Sequence, residues 1–317
     1  MRQGIALNPI NYYICNPFAT LAQSVEQRIR NAQVASSSLV SGSDMFKSNI
    51  QYPDNPYQRL VKVKVEDSSQ GRYQFDETYP YLDDSFKYKF NRAINAFVLR
   101  WIDNVYHRVC LGLRIEGRDI LKKYKKELAG GGISICNHVF REDAVMVCRA
   151  LNRYRSMHIP MFAKHFNKSA IYHWMLTYLG GVPIAENMDG LREFNKAIST
   201  FHERKEWIHI FPEEVRWDFY PYIRPFRKGA FTWAHEYDCP IVPLVITFRE
   251  RKGLYRLTGS KNTPLFTIRI LEPVFPDKSM SKKVDVDRLI QEAHARMVQG
   301  AGINDNPWPA NPRDLGL

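Results

Sequence analysis

Residues 132–143 read GISICNHVFRED, and this stretch decides how the rest of the chain is interpreted. Its apolar beginning has the length of a buried strand, and a helix is predicted from about Arg141 to Arg153. His138 then stands at the end of a strand, and Asp143 lies about one turn into the helix. The carboxylate can therefore orient the imidazole and raise its basicity. Such a pair suits a general base in acyl transfer, and a helix-capping pair without function is the plain alternative.

Further strands and helices alternate downstream of this stretch. The predicted strands are 157–163, 181–184, 207–211 and 240–248. The predicted helices are 170–179, one capped by Asp189, 229–237 and 285–298, the last stopped by Gly300. This alternation predicts an α/β fold with a mostly parallel central sheet flanked by helices. The carboxyl ends of such strands line the crevice in which ligands bind.

Two charged blocks, FPEEVRW and PFRKGAF, follow the predicted strand 207–211. Glu213 and Arg216 are expected to project together into the crevice, where Arg216 offers a forked donor for a phosphate. Lys228 and Gly229 would let an ammonium group and the backbone approach an anion. The alternative for Glu213 and Arg216 is a surface ion pair between residues three apart.

The chain is predicted to have three parts. Residues 1–82, rich in Ser, Asn, Pro and Gly, form an extended N-terminal arm with one short helix at Leu21–Ala32, or else a disordered tail. Residues 83–276 form the α/β domain. Residues 277–317 form a C-terminal helix and a Pro- and Asn-rich tail expected to lie on the surface as a strap.

An apolar stripe at helical spacing follows the arm: Phe86, Phe90, Ile94, Phe97, Val98, Trp101 and Val105. A helix of this kind can lie in a membrane interface, or it can pack on its own domain, which is the commoner use. The most apolar window, 93–115, is interrupted by charged residues and His107, so no membrane-spanning helix is predicted.

The 317 residues include 45 Lys and Arg against 33 Asp and Glu, a net charge of +12. This surface favours polyanions, such as nucleic acid, anionic lipid headgroups or coenzyme A. Basic and aromatic residues interleave at 149–158 and 218–228, which could bind nucleic acid, although no known nucleic-acid-binding motif occurs.

Five scattered cysteines lack any Cys-x-x-Cys pair: Cys15, Cys110, Cys136, Cys148 and Cys239. This pattern predicts reduced core residues in a reducing intracellular compartment. Glu26 is the only acid among the first thirty residues, so the mitochondrial matrix is one such compartment, and a peripheral position on a membrane is the other expectation.

Six sequence motifs follow one another along the chain: NHxxxxD, a Lys before a helix, GG-x-P-I, FPE-x-x-R, PF-x-KGAF and P-I-V-P. In this order they resemble the glycerolipid acyltransferase family, of the lysophosphatidic-acid acyltransferase type, over about residues 87–276. The resemblance implies a glycerol-3-phosphate acyltransferase-like fold.

The resemblance also implies roles for individual residues. His138 would be the general base and Asp143 its orienting partner. Glu213 and Arg216 would bind the phosphate-bearing region of the acceptor, with Lys164, Lys228 and Gly229 in support. Backbone amides near the start of the helix after His138 are expected to hold the oxyanion.

Acyl-CoA or acyl carrier protein would donate the acyl group to a lysophospholipid-like hydroxyl. Acyl-CoA would thus be a substrate, and no metal or redox cofactor is implied.

The sequence departs from the family pattern at two places. Glu214 and Val215 occupy the usual Gly-Thr of the third motif, and Ala185 to Asn187 follow the second motif, where an Arg is usual. These changes, together with the long arm and the missing membrane span, favour a rival hypothesis. The chain would then be a catalytically silent component of a large assembly, such as a mitochondrial ribonucleoprotein, with protein or RNA partners. Catalysis remains the leading interpretation because His138 and Asp143 are both present.

Overall fold

The computed structural model describes residues 49–60, 72–260 and 262–316. Within them a seven-stranded sheet has the order β1-β7-β6-β2-β5-β3-β4. The strands are β1 Arg114–Glu116, β2 Ile133–Cys136, β3 Met157–Phe162, β4 Gly181–Ile184, β5 Trp207–Ile210, β6 Ile241–Arg249 and β7 Leu265–Ile270. The β6–β7 pair is antiparallel and the other pairs are parallel. The predicted α/β fold with a mostly parallel sheet is confirmed.

Helices cover both faces of this sheet. They are α1 Phe86–Val98, α2 Asn104–Val109, α3 Arg118–Lys123, α4 Asp143–Leu151, α5 Ala170–Leu179, α6 Met188–Glu203, α7 Gly229–Tyr237 and α8 Lys282–Ala301. A π-helical turn, Leu99–Asp103, joins α1 to α2. Short 3₁₀ segments lie at Glu127–Gly130, Ala163–His165, Gly253–Arg256 and Pro312–Leu315.

Successive residues of a strand point to opposite faces of a sheet, so the central strands supply two cores. Ile133 and Ile135 of β2 belong to the core that contains the apolar side chains of α6, α7 and α8. Cys136 belongs to the other core, which includes most of α4. Burial on both faces explains why the central strands are nearly continuous apolar runs rather than alternating ones.

Local patterns predicted most of these elements. The predicted α5, β4 and α7 have the observed bounds, and α4 is two residues shorter at each end than expected. The side chain of Asn187, not Asp189, caps α6 by accepting a hydrogen bond from the backbone N–H of Gly190. The C-terminal helix runs past Gly300 and ends at Gly302, whose φ of 72° lies in the left-handed region.

Strands β1 and β7 are not among the predicted strands. Strand β1 is three residues long with a mostly exposed face, so it carries almost no apolar signal. Strand β7 is well buried, but its place is set by antiparallel pairing with β6 across a connection of fifteen residues. The predicted helix Leu21–Ala32 lies outside the described residues.

Helix α1 has its apolar face turned away from the domain. Its buried residues are Arg92, Asn95 and Ala96, and Arg92 donates a hydrogen bond of 2.6 Å to the carbonyl oxygen of Met157. The apolar stripe is exposed, with Phe86 at 82% and Trp101 at 62% of full exposure. The commoner interpretation, that this stripe packs on its own domain, is therefore wrong. In the described part of the chain, no helix combines the length and apolar character needed to cross a membrane.

The C-terminal tail lies across the segment before α7, as a surface strap would. The backbone N–H of Phe226 donates to the carbonyl oxygen of Ala310 at 2.9 Å. The side chain of Asn306 bonds both backbone groups of Ile223, and Trp308 donates to the hydroxyl of Tyr220.

Candidate active site

His138 and Asp143 lie together at the carboxyl edge of the sheet. Nδ1 of His138 is 2.7 Å from Oδ2 of Asp143, and the carboxylate is almost completely buried. Because an ionised carboxylate only accepts hydrogen bonds, this contact places the imidazole proton on Nδ1. The ring of His138 stacks on Phe211, with 4.2 Å between centroids, and remains 22% exposed. A positioned base with an accessible ring follows from this arrangement.

The carboxylate of Asp143 also organises the turn that enters α4. Its Oδ2 accepts from the backbone N–H groups of Val139 and Phe140, at 3.1 and 3.3 Å. Its Oδ1 accepts from the N–H of Ala144 at 2.9 Å. The expectation that amides just after His138 hold an oxyanion is wrong for these donors, since Asp143 already takes them.

Glu213 is the centre of a second group of buried hydrogen bonds, next to the backbone of His138. Its Oε2 accepts from the backbone N–H of His138 at 3.0 Å and from Nη2 of Arg224 at 2.7 Å. Its Oε1 accepts from the backbone N–H of Arg224 at 2.9 Å. Both side chains are fully buried. The prediction that Glu213 projects with Arg216 to bind phosphate is wrong, because Glu213 is buried, pairs with Arg224 and holds the backbone of His138 instead.

Sequence reasoning missed Arg224. Its guanidinium also donates to the carbonyl oxygens of Val215 and Pro56 and lies 4.5 Å from the ring centroid of Trp217. Its position inside PYIRPF, between two prolines and away from any motif, gave no signal of a buried ion pair. The arginine joins the loop after β5 to the N-terminal arm.

The basic residues predicted for the site occupy different positions around His138 and Glu213. Arg216 is half-buried and pairs with Asp218 at 2.7 Å. Lys164 lies after β3 with Nζ 5.5 Å from the ring centroid of Phe162. Lys228 and Gly229 are exposed where α7 begins, and a Cβ added at Gly229 would meet nothing within 4 Å. Close approach of a neighbour therefore does not explain this glycine.

Glu214 does not add a free negative charge to the site. Its carboxylate pairs with Nε of Arg227 at 2.8 Å, and its backbone has a positive φ of 66°. In the second motif, Ala185 is buried and Asn187 caps α6. The side chain of Ala185 supplies no hydrogen-bond donor.

Two histidines near the pair are held neutral. Burial lowers the pKa of His165 to about 4, and the positive charges of Lys168, Arg59, His138 and Arg216 add to this effect. Burial also lowers the pKa of His209 to about 3. His209 lies beneath the site, with Nδ1 2.9 Å from the hydroxyl of Ser134. Both rings are therefore neutral at neutral pH.

In each of the two basic and aromatic stretches considered for nucleic acid, one arginine is buried, Arg149 in the first and Arg224 in the second. In the first, Arg149 bonds the side chain of Asn104 at 2.6 Å, and Arg153 lies 5.3 Å from the ring centroid of Trp207. In the second, Arg224 is fully buried. The described cysteines Cys110, Cys136, Cys148 and Cys239 are free, and the last three are buried.

Comparisons with known proteins agree with the motifs. The family model described as Acyltransferase matches residues 112–247. An uncharacterized acyltransferase of Schizosaccharomyces pombe is 25% identical over 188 residues, which are 58% of this chain and 63% of the yeast protein. The chain thus matches less than two thirds of that relative. The crystal structure of the 1-acyl-sn-glycerophosphate acyltransferase PlsC from Thermotoga maritima aligns with a TM-score of 0.47 and 16% identity. That alignment covers 70% of this chain and 83% of PlsC.

The family match includes His138, Asp143, Glu213 and Arg216 in one α/β domain. Over residues 112–247 the chain carries an acyltransferase domain and is similar to the acyltransferase family. Its divergence lies in Ala185, Glu214 and Val215, and the role of a silent assembly component gains no support from these comparisons.

Proposed function

We propose that this protein is an O-acyltransferase that moves a fatty acyl group from acyl-CoA or acyl carrier protein to a lysophospholipid-like hydroxyl. The observation that carries the proposal is the 2.7 Å bond between Nδ1 of His138 and the buried carboxylate of Asp143. Within the described residues, Nε2 of His138 makes no hydrogen bond, so its lone pair is available to a substrate hydroxyl. Acyl transfer from a thioester needs this type of base.

The proposed reaction is a single displacement at the thioester carbonyl. Nε2 of His138 takes the proton of the acceptor hydroxyl while its oxygen attacks the carbonyl carbon. The C–S bond then breaks, and the thiolate of the donor receives the proton back from the imidazolium. Asp143 stabilises the imidazolium that exists between these two transfers. The reaction uses acyl-CoA as a substrate and invokes no cofactor.

A rigid frame around His138 supports this assignment. Its backbone N–H donates to Glu213, and its carbonyl oxygen accepts from the N–H of Trp217 at 3.0 Å. With Asp143 holding the ring, both the backbone and the side chain are positioned. Preorganisation matters because a displacement of about 1 Å can reduce turnover by roughly 100-fold.

Basic side chains near the site favour an acceptor with a phosphate. Arg216 and Lys164 follow β5 and β3, neighbouring parallel strands whose carboxyl ends meet at the edge that holds His138. Arginine provides two parallel donors and lysine a point charge for phosphate oxygens. We assign the acceptor's phosphate-bearing end to this side of the site. Lys228 and Gly229, exposed at the start of α7, are proposed only to support the anion's approach.

The test is acyl transfer by purified protein offered acyl-CoA and a panel of lysophospholipids. His138→Ala is expected to abolish turnover without loss of folded structure. His202→Ala is the matched control, because its ring stacks on Tyr237 at the end of α6 and takes no part in the site. Full activity of His138→Ala would exclude the mechanism, and the absence of transfer by folded wild-type protein with every acceptor would exclude the activity.

We also propose that the protein meets its lipid substrate by laying the outward face of α1 and α2 on a membrane. Helix α1 buries Arg92 and Asn95 and exposes its phenylalanines, and Trp101 of the following π-helical turn is exposed as well. This is the reverse of a helix that packs by its apolar face. Exposed basic residues alternate with the stripe, including Lys87, Arg100 and Arg108. Apolar side chains flanked by cations suit an anionic lipid interface.

The outward face of α1 and α2 continues onto α5, which packs beside α1. The ring centroids of Tyr88 in α1 and Tyr178 in α5 lie 5.6 Å apart. Flotation with phosphatidylglycerol-containing vesicles tests the contact. Replacing Phe90 and Trp101 by Gln is expected to weaken vesicle binding by roughly tenfold or more, since burial of one large apolar side chain contributes about 1.5–3 kcal/mol. Val284→Gln, an exposed apolar change on α8, is the matched control. Equal binding by all three proteins would contradict the proposal.

A further inference from the structure

The part of the N-terminal arm at residues 49–60 is fastened to the loop after β5. The carbonyl oxygen of Gln58 accepts from Nε1 of Trp217 at 2.7 Å, and that of Pro56 accepts from buried Arg224 at 2.8 Å. The ring of Tyr52 stacks on Trp217, and its hydroxyl donates to the carbonyl oxygen of Asp218 at 2.8 Å. The arm is thereby attached to the residues that follow Arg216.

These contacts bring Arg59 to the same edge of the sheet. Its guanidinium carbon lies 5.6 Å from the ring centroid of Phe162, the last residue of β3. Nζ of Lys164 lies 5.5 Å from the same ring. Since β3 pairs in parallel with β5, Arg59 and Lys164 stand beside the loop that carries Arg216.

One of the three cations at this edge, Arg216, pairs with Asp218 at 2.7 Å. Among the described residues, no carboxylate forms an ion pair with Arg59 or Lys164. The nearby His165 has a lowered pKa, first because it is buried and then because of positive charge around it, to which Lys168, Arg59 and Arg216 contribute. Cations held near one another at a half-buried edge attract an anion of high charge.

We propose that Arg59, together with Lys164 and Arg216, binds the phosphate monoester of the acyl acceptor and compensates for the cation missing after the second motif. The inference rests on the proposed acyl transfer and adds to it a phosphate-binding residue from the N-terminal arm. Ala185, which follows the second motif here, is buried and has no side-chain donor. A guanidinium from the arm can supply a forked pair of donors at this edge.

Steady-state kinetics with two acceptors tests the role. Arg59→Ala is expected to raise KM for 1-acylglycerol 3-phosphate by roughly 10- to 100-fold, the effect of losing a charge-assisted hydrogen bond. The value of kcat, the KM for acyl-CoA and the KM for monoacylglycerol, which lacks the phosphate, should stay within threefold. Arg59→Lys should recover part of the loss, and exposed Arg72→Ala, from the same arm, should behave as wild type.

Each failure of the inference has a distinct signature. Equal changes in KM for both acceptors, or a change confined to acyl-CoA, would overturn it, the latter because the phosphates bound are then those of the donor. Calorimetric binding of sn-glycerol 3-phosphate provides a readout that needs no turnover. If the wild type transfers no acyl group but binds this phosphate more tightly than Arg59→Ala does, only the proposed activity fails. Equal binding by the two proteins overturns the role of Arg59.

Discussion

Replacing Glu213 by Gln tests whether this residue positions His138 or contacts a ligand. The carboxylate accepts three hydrogen bonds, from the N–H groups of His138 and Arg224 and from the Arg224 guanidinium, at 2.7 to 3.0 Å. Either orientation of a glutamine amide turns its NH₂ group toward another donor. The change also leaves the guanidinium of Arg224 buried without its counter-ion.

The magnitude follows from this geometry. Removing one member of a buried ion pair destabilises a protein by about 3–5 kcal/mol. We expect a loss of this size in the free energy of unfolding by urea, together with at least a ~10-fold lower kcat, since His138 loses a backbone contact. Circular dichroism at low denaturant separates reduced turnover from an unfolded sample.

Two further variants make the result decisive. Arg216→Gln removes a half-exposed pair and should cost less than about 1 kcal/mol while raising KM for the acceptor. Combining Glu213→Gln with Arg224→Met should restore more than half of the lost stability, because the unpaired charge is gone. The reasoning is refuted if Glu213→Gln loses less than about 1 kcal/mol and changes only KM, as direct contact with the ligand requires.

Three other predictions concern single groups. Asp143→Asn should lower kcat by roughly 10²- to 10⁴-fold, because the imidazole loses the partner that fixes its tautomer. The fold should persist, since the amides of Val139 and Phe140 keep an oxygen acceptor. Retained turnover in the acyl-transfer assay would contradict this prediction. His209, with a pKa lowered to about 3, stays neutral in the folded protein while the unfolded chain binds a proton below about pH 6.5. The contribution of neutral His209 to the free energy of unfolding is therefore fully present above that pH. Between pH 7 and 5 this residue should lower the free energy of unfolding by about 2 kcal/mol. In urea titrations, His209→Asn should lose less stability over the same pH range. Trp217→Phe removes the indole donor to Gln58, should cost about 1 kcal/mol, and should speed hydrogen exchange in residues 49–60; unchanged exchange would show that the arm is held otherwise.

Elements with a local pattern could be predicted from the sequence alone. The run at 132–136 and the helical spacing of α5 and α7 determine their own secondary structure, because side-chain periodicity acts within a few residues. The proximity of His138 and Asp143 is local too, since five residues span one strand end and one helical turn. Strand β1, with three residues, is too short to carry such a pattern.

The surroundings of the site depended on tertiary contacts. Glu213 pairs with Arg224, which lies eleven residues later in the chain. The carbonyl oxygen of Gln58 in the arm accepts a hydrogen bond from Trp217, 159 residues later. Such partners are chosen by how elements pack, and two charges in a sequence do not reveal whether they will be buried together.

The sequence by itself determined that this chain forms a mostly parallel α/β fold, that His138 and Asp143 lie close together, and that an apolar stripe lies on a helix near the start of that fold. Only the tertiary structure decided that Glu213 supports the histidine, that Arg59 joins the basic edge, and that the stripe faces outward. A periodic pattern establishes that a helix has two unlike faces. Which face the domain covers depends on the surface it meets, and here that surface offers the carbonyl oxygen of Met157 to Arg92 rather than an apolar groove to Phe90.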